Sequence, residues 1–159
     1  MNRYDWLLGL HVLSAFAMVA AVVFFTILLA ALWRTDTPRH AATLFAIGKP
    51  AEIGVGVGSV LVLVFGIALA VDVDGYQLWD GWILGSIVLW AIAVGLGMRG
   101  GKHYARAHKV ADGLIARGDD SPSAELRALI RDRMTLLMHA VAGVALVAIL
   151  VLMIYKPGA

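Results

Sequence analysis

Four long apolar runs, separated by polar connections, dominate this chain. The first run, residues 6–33, holds 28 residues with one histidine and no formal charge. The other runs cover about residues 50–71, 79–98 and 134–155. A hydrocarbon layer about 30 Å thick is crossed by roughly 20 apolar residues in a helix. Each run therefore predicts a helix that spans a membrane.

Local signals predict where some of these helices begin. Pro50 precedes the second run, and proline suits the first turn of a helix because its missing N–H has no partner there. Within residues 99–133, the only long polar segment, Ser121 and Pro122 are typical of an N-cap and a first helical position. This segment predicts two short surface helices, or extensions of the runs on either side.

Composition agrees with a membrane protein. The chain has 159 residues, of which 61% are hydrophobic and only 15% are charged. We therefore expect one membrane domain, residues 1–159, because no segment is left over that is large enough for a soluble core. The absence of cysteine excludes disulfides and thiolate metal sites. A net charge of only +2 gives no sign of nucleic-acid binding.

The distribution of basic residues predicts the orientation. Eleven of the thirteen lysines and arginines lie in the connections 34–49 and 99–133. Because basic connections stay in the cytoplasm, both connections are expected inside and both termini outside. The predicted fold is an all-α, four-helix bundle in the cytoplasmic (inner) membrane.

His11 is the main candidate for function, because a polar ring in an apolar span needs a partner. Ser14 and Met18 follow at i+3 and i+7, on one helical face, and Met153 is expected at a similar depth on the fourth helix. An imidazole beside a hydroxyl and thioethers would suit a b-type haem or a soft metal. Alternatively, His11 only hydrogen-bonds a neighbouring helix and the methionines fill space. The identity of any metal stays open.

A second polar level lies near the inner ends of the helices, where Glu52 and His139 are expected close together. The pair could lock the second and fourth spans together, relay protons or complete a metal site. No set of catalytic residues is apparent, so the sequence does not decide whether the protein is an enzyme.

Small residues and one tryptophan predict helix contacts. Gly54 with Gly58, and Gly81 with Gly85, have the small-xxx-small spacing that lets helices approach closely. We expect these faces to support assembly with a second copy or with a partner membrane protein. Trp90 lies deep in the third run, so its indole N–H needs an acceptor or points into the bundle.

Three stretches carry a family resemblance: LGLHVLSAFAMVAAVVFF, GIALAVDVDGYQLWDGWI and the terminal VLMIYKP. They resemble the small four-span bacterial membrane proteins of the uncharacterised DUF2269 type. More distantly, the early histidine and the C-terminal Lys-Pro are similar to the haem-linked HemJ proteins and the CopD membrane domain. The resemblance implies a bundle in which His11 ligates haem or metal. HemJ-like proteins also have a basic residue within span three, whereas residues 79–98 have none, so protoporphyrinogen oxidation is not expected.

Three functions remain open at this point. The first is a small haem- or metal-binding membrane protein for electron transfer or transport, with His11 as the first ligand. The second is a non-catalytic accessory or scaffold subunit, in which the polar residues only fix helix packing. The third is a transporter that uses Glu52 and His139 as an ion relay.

Overall fold

The computed structural model describes residues 2–73 and 75–158, and within these residues every regular element is an α-helix. The helices are α1 (Arg3–Trp33), α2 (Pro38–Asp72), α3 (Gly81–Ala116), α4 (Ala124–Ile130) and α5 (Arg133–Tyr155). Four helical segments are long and apolar enough to cross a membrane: α1, α2, α3, and α4 together with α5. The prediction of an all-α, four-span membrane bundle is confirmed.

Polar side chains cap the N-termini of α1, α4 and α5 through hydrogen bonds. At α1, Asn2 and Asp5 form a capping box, in which each side chain accepts a hydrogen bond from the backbone of the other. The N-cap of α4 is Ser123, two residues after the predicted Ser121, so that prediction is wrong. Ser121 instead donates its hydroxyl and backbone N–H to Asp119, and these bonds hold the pKa of Asp119 below its ordinary value.

The start of the second helix also differs from the prediction. Helix α2 begins at Pro38 and continues through Pro50, so Pro50 does not mark its first turn. An internal proline costs one backbone hydrogen bond. Burial offsets that cost, because Ala41 is fully buried and Phe45 packs against the same apolar cluster before Pro50 is reached. Pro38, and not Pro50, is the proline in the first turn of α2.

The same cluster explains why residues 99–116 continue α3, which is one of the two alternatives predicted for this segment. An apolar core lies where the first apolar run ends, between the end of α1, the start of α2, the extension of α3, and α4. Its buried members are Leu29, Leu32, Ala41, Tyr104, Ala107, Ala111, Leu114, Leu126 and Ile130. On α3 these residues recur at helical spacing, so one face of a polar stretch is buried. We call this side of the molecule the basic end.

The opposite side, called the 73–80 end, holds both described chain ends. Arg3 at the start of α1 pairs with Asp72 at the end of α2, with 3.1 Å between Nε and Oδ1. Lys156, just after α5, donates to the hydroxyl of Tyr76 at 2.8 Å. Both termini therefore lie at one end of the bundle, as an even number of spans requires. Which side of the membrane this end faces stays a prediction.

Glycines determine how closely the helices pack. A Cβ on Gly58 would lie 2.9 Å from Cβ of Met18, and one on Gly54 would lie 3.2 Å from Cβ of Ala21, both on α1. Gly85 faces Leu152 of α5 in the same way. The face of Gly54 and Gly58 is thus occupied by α1 of the same chain, whereas a Cβ on Gly81 would have nothing within 4 Å. Assembly with a second copy or a partner through these faces stays a prediction.

Candidate functional site

The helices pack as two pairs with a partly open apolar space between them. Helix α1 packs mainly along α2, and α3 mainly along α5. Between the pairs lies a cavity of about 1100 Å³, lined by side chains from all four of these helices. Small-molecule sites in proteins usually measure roughly 300–1,000 Å³. The space is therefore large enough for a sizeable apolar ligand.

His11 lies in the wall of this cavity and is held by α2. Its Nδ1 is 3.1 Å from the carbonyl oxygen of Val62. Because a carbonyl can only accept, Nδ1 carries the proton, and in the neutral ring the lone pair is on Nε2. The ring fits here because residue 66 is glycine: a Cβ at Gly66 would lie 3.0 Å from Cε1 of His11. The histidine is thus fixed in both position and tautomer.

Two of the other three predicted ligand-binding residues line the same cavity. Met18 and Met153 are in its wall, from α1 and α5. Ser14 is not. It is buried in the contact between α1 and α2, and its hydroxyl donates to the carbonyl of Leu10 at 2.7 Å. The reason is that position i+3 lies roughly 60° around the helix from His11, which turns Ser14 towards α2.

Glu52 and His139 also line the cavity, but each has another partner. Lys49 donates to Glu52 at 3.1 Å. Nε2 of His139 is 2.9 Å from the hydroxyl of Thr26, which donates its own proton to the carbonyl of Val22 at 2.8 Å. His139 Nε2 is therefore the donor. Among the described residues no hydrogen bond joins Glu52 to His139, and the role of the predicted pair stays a prediction.

A charged side chain, Lys156, lies in the cavity wall at the 73–80 end. The ammonium group of Lys156 hydrogen-bonds to Tyr76 and lies 4.8 Å from the Tyr76 ring centroid and 5.7 Å from that of Trp82. Trp82 is only 5% exposed, and its indole nitrogen has no hydrogen-bond partner within the described part of the chain. A buried, unpartnered donor costs about 1–3 kcal/mol.

The family comparison covers nearly the whole bundle. The family model described as "predicted integral membrane protein (DUF2269)" matches residues 5–157. The chain belongs to the DUF2269 family. This membership confirms the resemblance to the DUF2269 type and, with the four apolar helices, the multi-pass membrane location. The family description assigns no activity. No curated protein and no solved structure matches the chain.

The donor chemistry of this DUF2269 bundle limits the kind of metal site it can form. In residues 2–73 and 75–158 no three His, Asp or Glu side chains come together in a group that could hold a metal ion. His11 therefore offers a single imidazole, with thioethers in the same cavity wall. That set suits a metal that arrives with most of its ligands already supplied, as haem iron does.

Sequence reasoning missed several of the contacts that build the site. Thr26 is an isolated hydroxyl residue in an apolar run, and a hydroxyl there could have indicated a hydrogen bond to another helix, where the structure shows the partner to be His139. Gly66 continues the glycine spacing of α2 and could have indicated the close approach of His11. The prediction that the Trp90 indole N–H requires an acceptor is confirmed, since it donates to the carbonyl of Ser59 at 3.0 Å.

Proposed function

We propose that this protein binds a b-type haem in the cavity between its helix pairs, and that His11 Nε2 would hold its iron. The observation that carries the proposal is the bond from His11 Nδ1 to the Val62 carbonyl. Histidines that ligate metals almost always donate their other ring N–H to a carbonyl, a carboxylate or water. Such a bond leaves the lone pair of Nε2 available for the iron.

The surroundings of His11 support a haem better than a bare ion. The cavity of about 1100 Å³ is lined mainly by apolar side chains, which suit a porphyrin ring. Met153 lines the same cavity from α5, and its thioether is a side-chain group that could also hold haem iron. When bound, the haem would supply one-electron chemistry. The protein's part would be to ligate the iron and keep the ring in an apolar environment.

The proposed role is electron transfer or transport in the cytoplasmic membrane of a bacterium, with both termini outside. The basic end, which carries most of the lysines and arginines, would face the cytoplasm. The 73–80 end, and with it the nearby His11, would then lie towards the outer surface.

A scaffold or accessory subunit is the second candidate, and specific contacts favour it. The bonds His11 to Val62, His139 to Thr26 and Trp90 to Ser59 each join two different helices. All of them could exist only to fix helix packing. In that case the cavity would hold lipid. An ion relay through Glu52 and His139 has less support, because each residue bonds to a different neighbour.

A visible spectrum of the protein purified from membranes tests the haem proposal. We expect a Soret band that shifts on reduction, is lost in His11→Ala and is retained in His40→Ala. His40 is the matched control because it is exposed at the basic end. A preparation with no chromophore, and no bound metal by elemental analysis, would contradict the proposal and leave the scaffold candidate.

A further inference from the structure

The cavity has a cation at its 73–80 end that no described carboxylate neutralises. Lys156 lies in the cavity wall, half-buried, and its only hydrogen-bond partner among the described residues is the neutral hydroxyl of Tyr76. Arg3 at the same end differs, because it pairs with Asp72 at 3.1 Å. The aromatic rings below Lys156 stabilise its charge only in part.

The chemistry of this corner indicates an anion rather than a neutral group. A cation partly removed from water is stabilised most by an opposite charge that also accepts its hydrogen bonds. The buried N–H of Trp82, beside Lys156, has no acceptor among the described residues either. A ketone or ester oxygen could accept a hydrogen bond but carries no charge to oppose that of the ammonium group. A carboxylate supplies both an acceptor and a negative charge.

The distance to His11 fits one ligand that reaches both groups. His11 contacts α2 at Gly66, and Trp82 packs against Ala70, four residues further along the same helix. At about 1.5 Å per residue, His11 and Trp82 are separated by about 6 Å along the axis of α2. Lys156 Nζ lies 5.7 Å from the ring centroid of Trp82. A molecule whose apolar body lies beside His11 can therefore place an acidic group next to Lys156.

We propose that this end of the cavity is a carboxylate subsite for an amphipathic ligand, with Lys156 Nζ as the principal donor and Trp82 beside it. The apolar part of the ligand fills the space between the helix pairs. The proposal rests partly on the proposed function: if the ligand is haem, the carboxylates are its propionates. A free fatty acid carries the same group on a different body.

Two pairs of ligands, each an acid and its ester, test the subsite without requiring a variant to fold. Haemin and its dimethyl ester are titrated by the Soret band, and oleic acid and methyl oleate by thermal stabilisation of the protein in detergent. We expect the unmodified protein to bind the acid of at least one pair about tenfold more tightly than the ester. Equal affinity for acid and ester in both pairs overturns the proposal.

Variants then test whether Lys156 causes the preference for the acid over its ester. Lys156→Gln is expected to reduce it to about twofold or less, Lys156→Arg to retain it, and the exposed Lys109→Gln to match the unmodified protein. A preference that persists in Lys156→Gln but disappears in Lys49→Gln places the carboxylate at the opposite end and overturns the assignment.

The results with haemin and with oleate distinguish failure of the carboxylate subsite from failure of the haem proposal. Acid preference with haemin identifies the propionates as the bound carboxylates. Acid preference with oleate alone, in protein that binds no haemin, supports the subsite and contradicts the proposed function. Haemin that ligates through His11 equally well as acid and as ester, with no preference for oleate, supports the function and overturns the subsite.

Discussion

At the scale of single residues, the two membrane histidines differ in which ring nitrogen is engaged. His11 uses Nδ1 towards a backbone carbonyl, and His139 uses Nε2 towards a hydroxyl. The less hindered Nε2 is therefore left for a ligand at His11 but not at His139. The sequence shows both only as histidines in apolar runs, and the difference arises from Val62 and Thr26 on other helices. No local pattern could have predicted it.

Thr26→Val is expected to destabilise the protein without affecting a ligand at His11. Valine has nearly the shape of threonine but cannot accept the hydrogen bond from His139. Hydrogen bonds between membrane helices contribute roughly 0.6–1.7 kcal/mol. A lower midpoint of thermal unfolding in detergent, with any Soret band unchanged, is the expected result.

Thr43→Val is the matched control for this prediction. Thr43 is exposed, and its hydroxyl bonds only to the carbonyl of Arg39 in its own helix. If Thr26→Val and Thr43→Val shift the midpoint equally, the bond between Thr26 and His139 contributes nothing specific.

At the scale of helices, α2 presents one row of residues to α1. Gly54, Gly58, Val62 and Gly66 recur every four residues, and each contacts α1 through a close approach or a backbone carbonyl. Rows at this spacing form the ridges by which helices pack. The sequence indicated the first two members, and the structure extends the row to the residues that hold His11.

Gly58→Ala is expected to separate α1 from α2, whereas Gly56→Ala is not. A Cβ at Gly58 meets both Cβ and Cα of Met18, at 2.9 and 3.2 Å, and the backbone atom cannot move away cheaply. Overpacking of this kind costs about 1–3 kcal/mol. A Cβ at Gly56 has nothing within 4 Å.

Unfolding of both variants by titration with SDS would measure the difference. The Gly58 variant should unfold at a lower detergent fraction, and the Gly56 variant at the same or a higher one, because alanine favours helix more than glycine. Equal behaviour of the two variants would mean that the contact with Met18 does not limit the packing.

Helix number followed from the sequence more readily than helix length. A lipid-length apolar run is a local property, so hydropathy identified all four spans. The extension of α3 depends on Tyr104, Ala107 and Ala111, whose burial requires partners from distant parts of the chain. Their neighbours are basic, so the segment was expected to lie partly on the surface.

At the scale of the whole molecule, the site depends on how the helix pairs face each other. The sequence placed His11 and Met153 at a similar depth, and the structure puts both in one cavity wall. The cavity itself could not be predicted from the sequence, because a gap between packed helices is not a property of any one segment. The orientation in the membrane likewise rests on charge distribution alone.

Single cysteines would test the orientation with little background, because the natural sequence has none. Gln77→Cys lies in the connection at the 73–80 end, and Ala116→Cys at the end of α3; both positions are exposed. A membrane-impermeant maleimide should label the first in intact cells and the second only after lysis. The reverse pattern would place the termini in the cytoplasm.

The pairing of α1 with α2 and of α3 with α5 also has a consequence for biogenesis. Each pair is an antiparallel hairpin that makes most of its helix contacts within itself, and the connection through residues 73–80 links the two pairs. Insertion of the first hairpin completes only half of the cavity wall. The cavity is complete only when the second hairpin docks. If the haem proposal holds, the cofactor is therefore captured during assembly in the membrane rather than during translation of the first two spans.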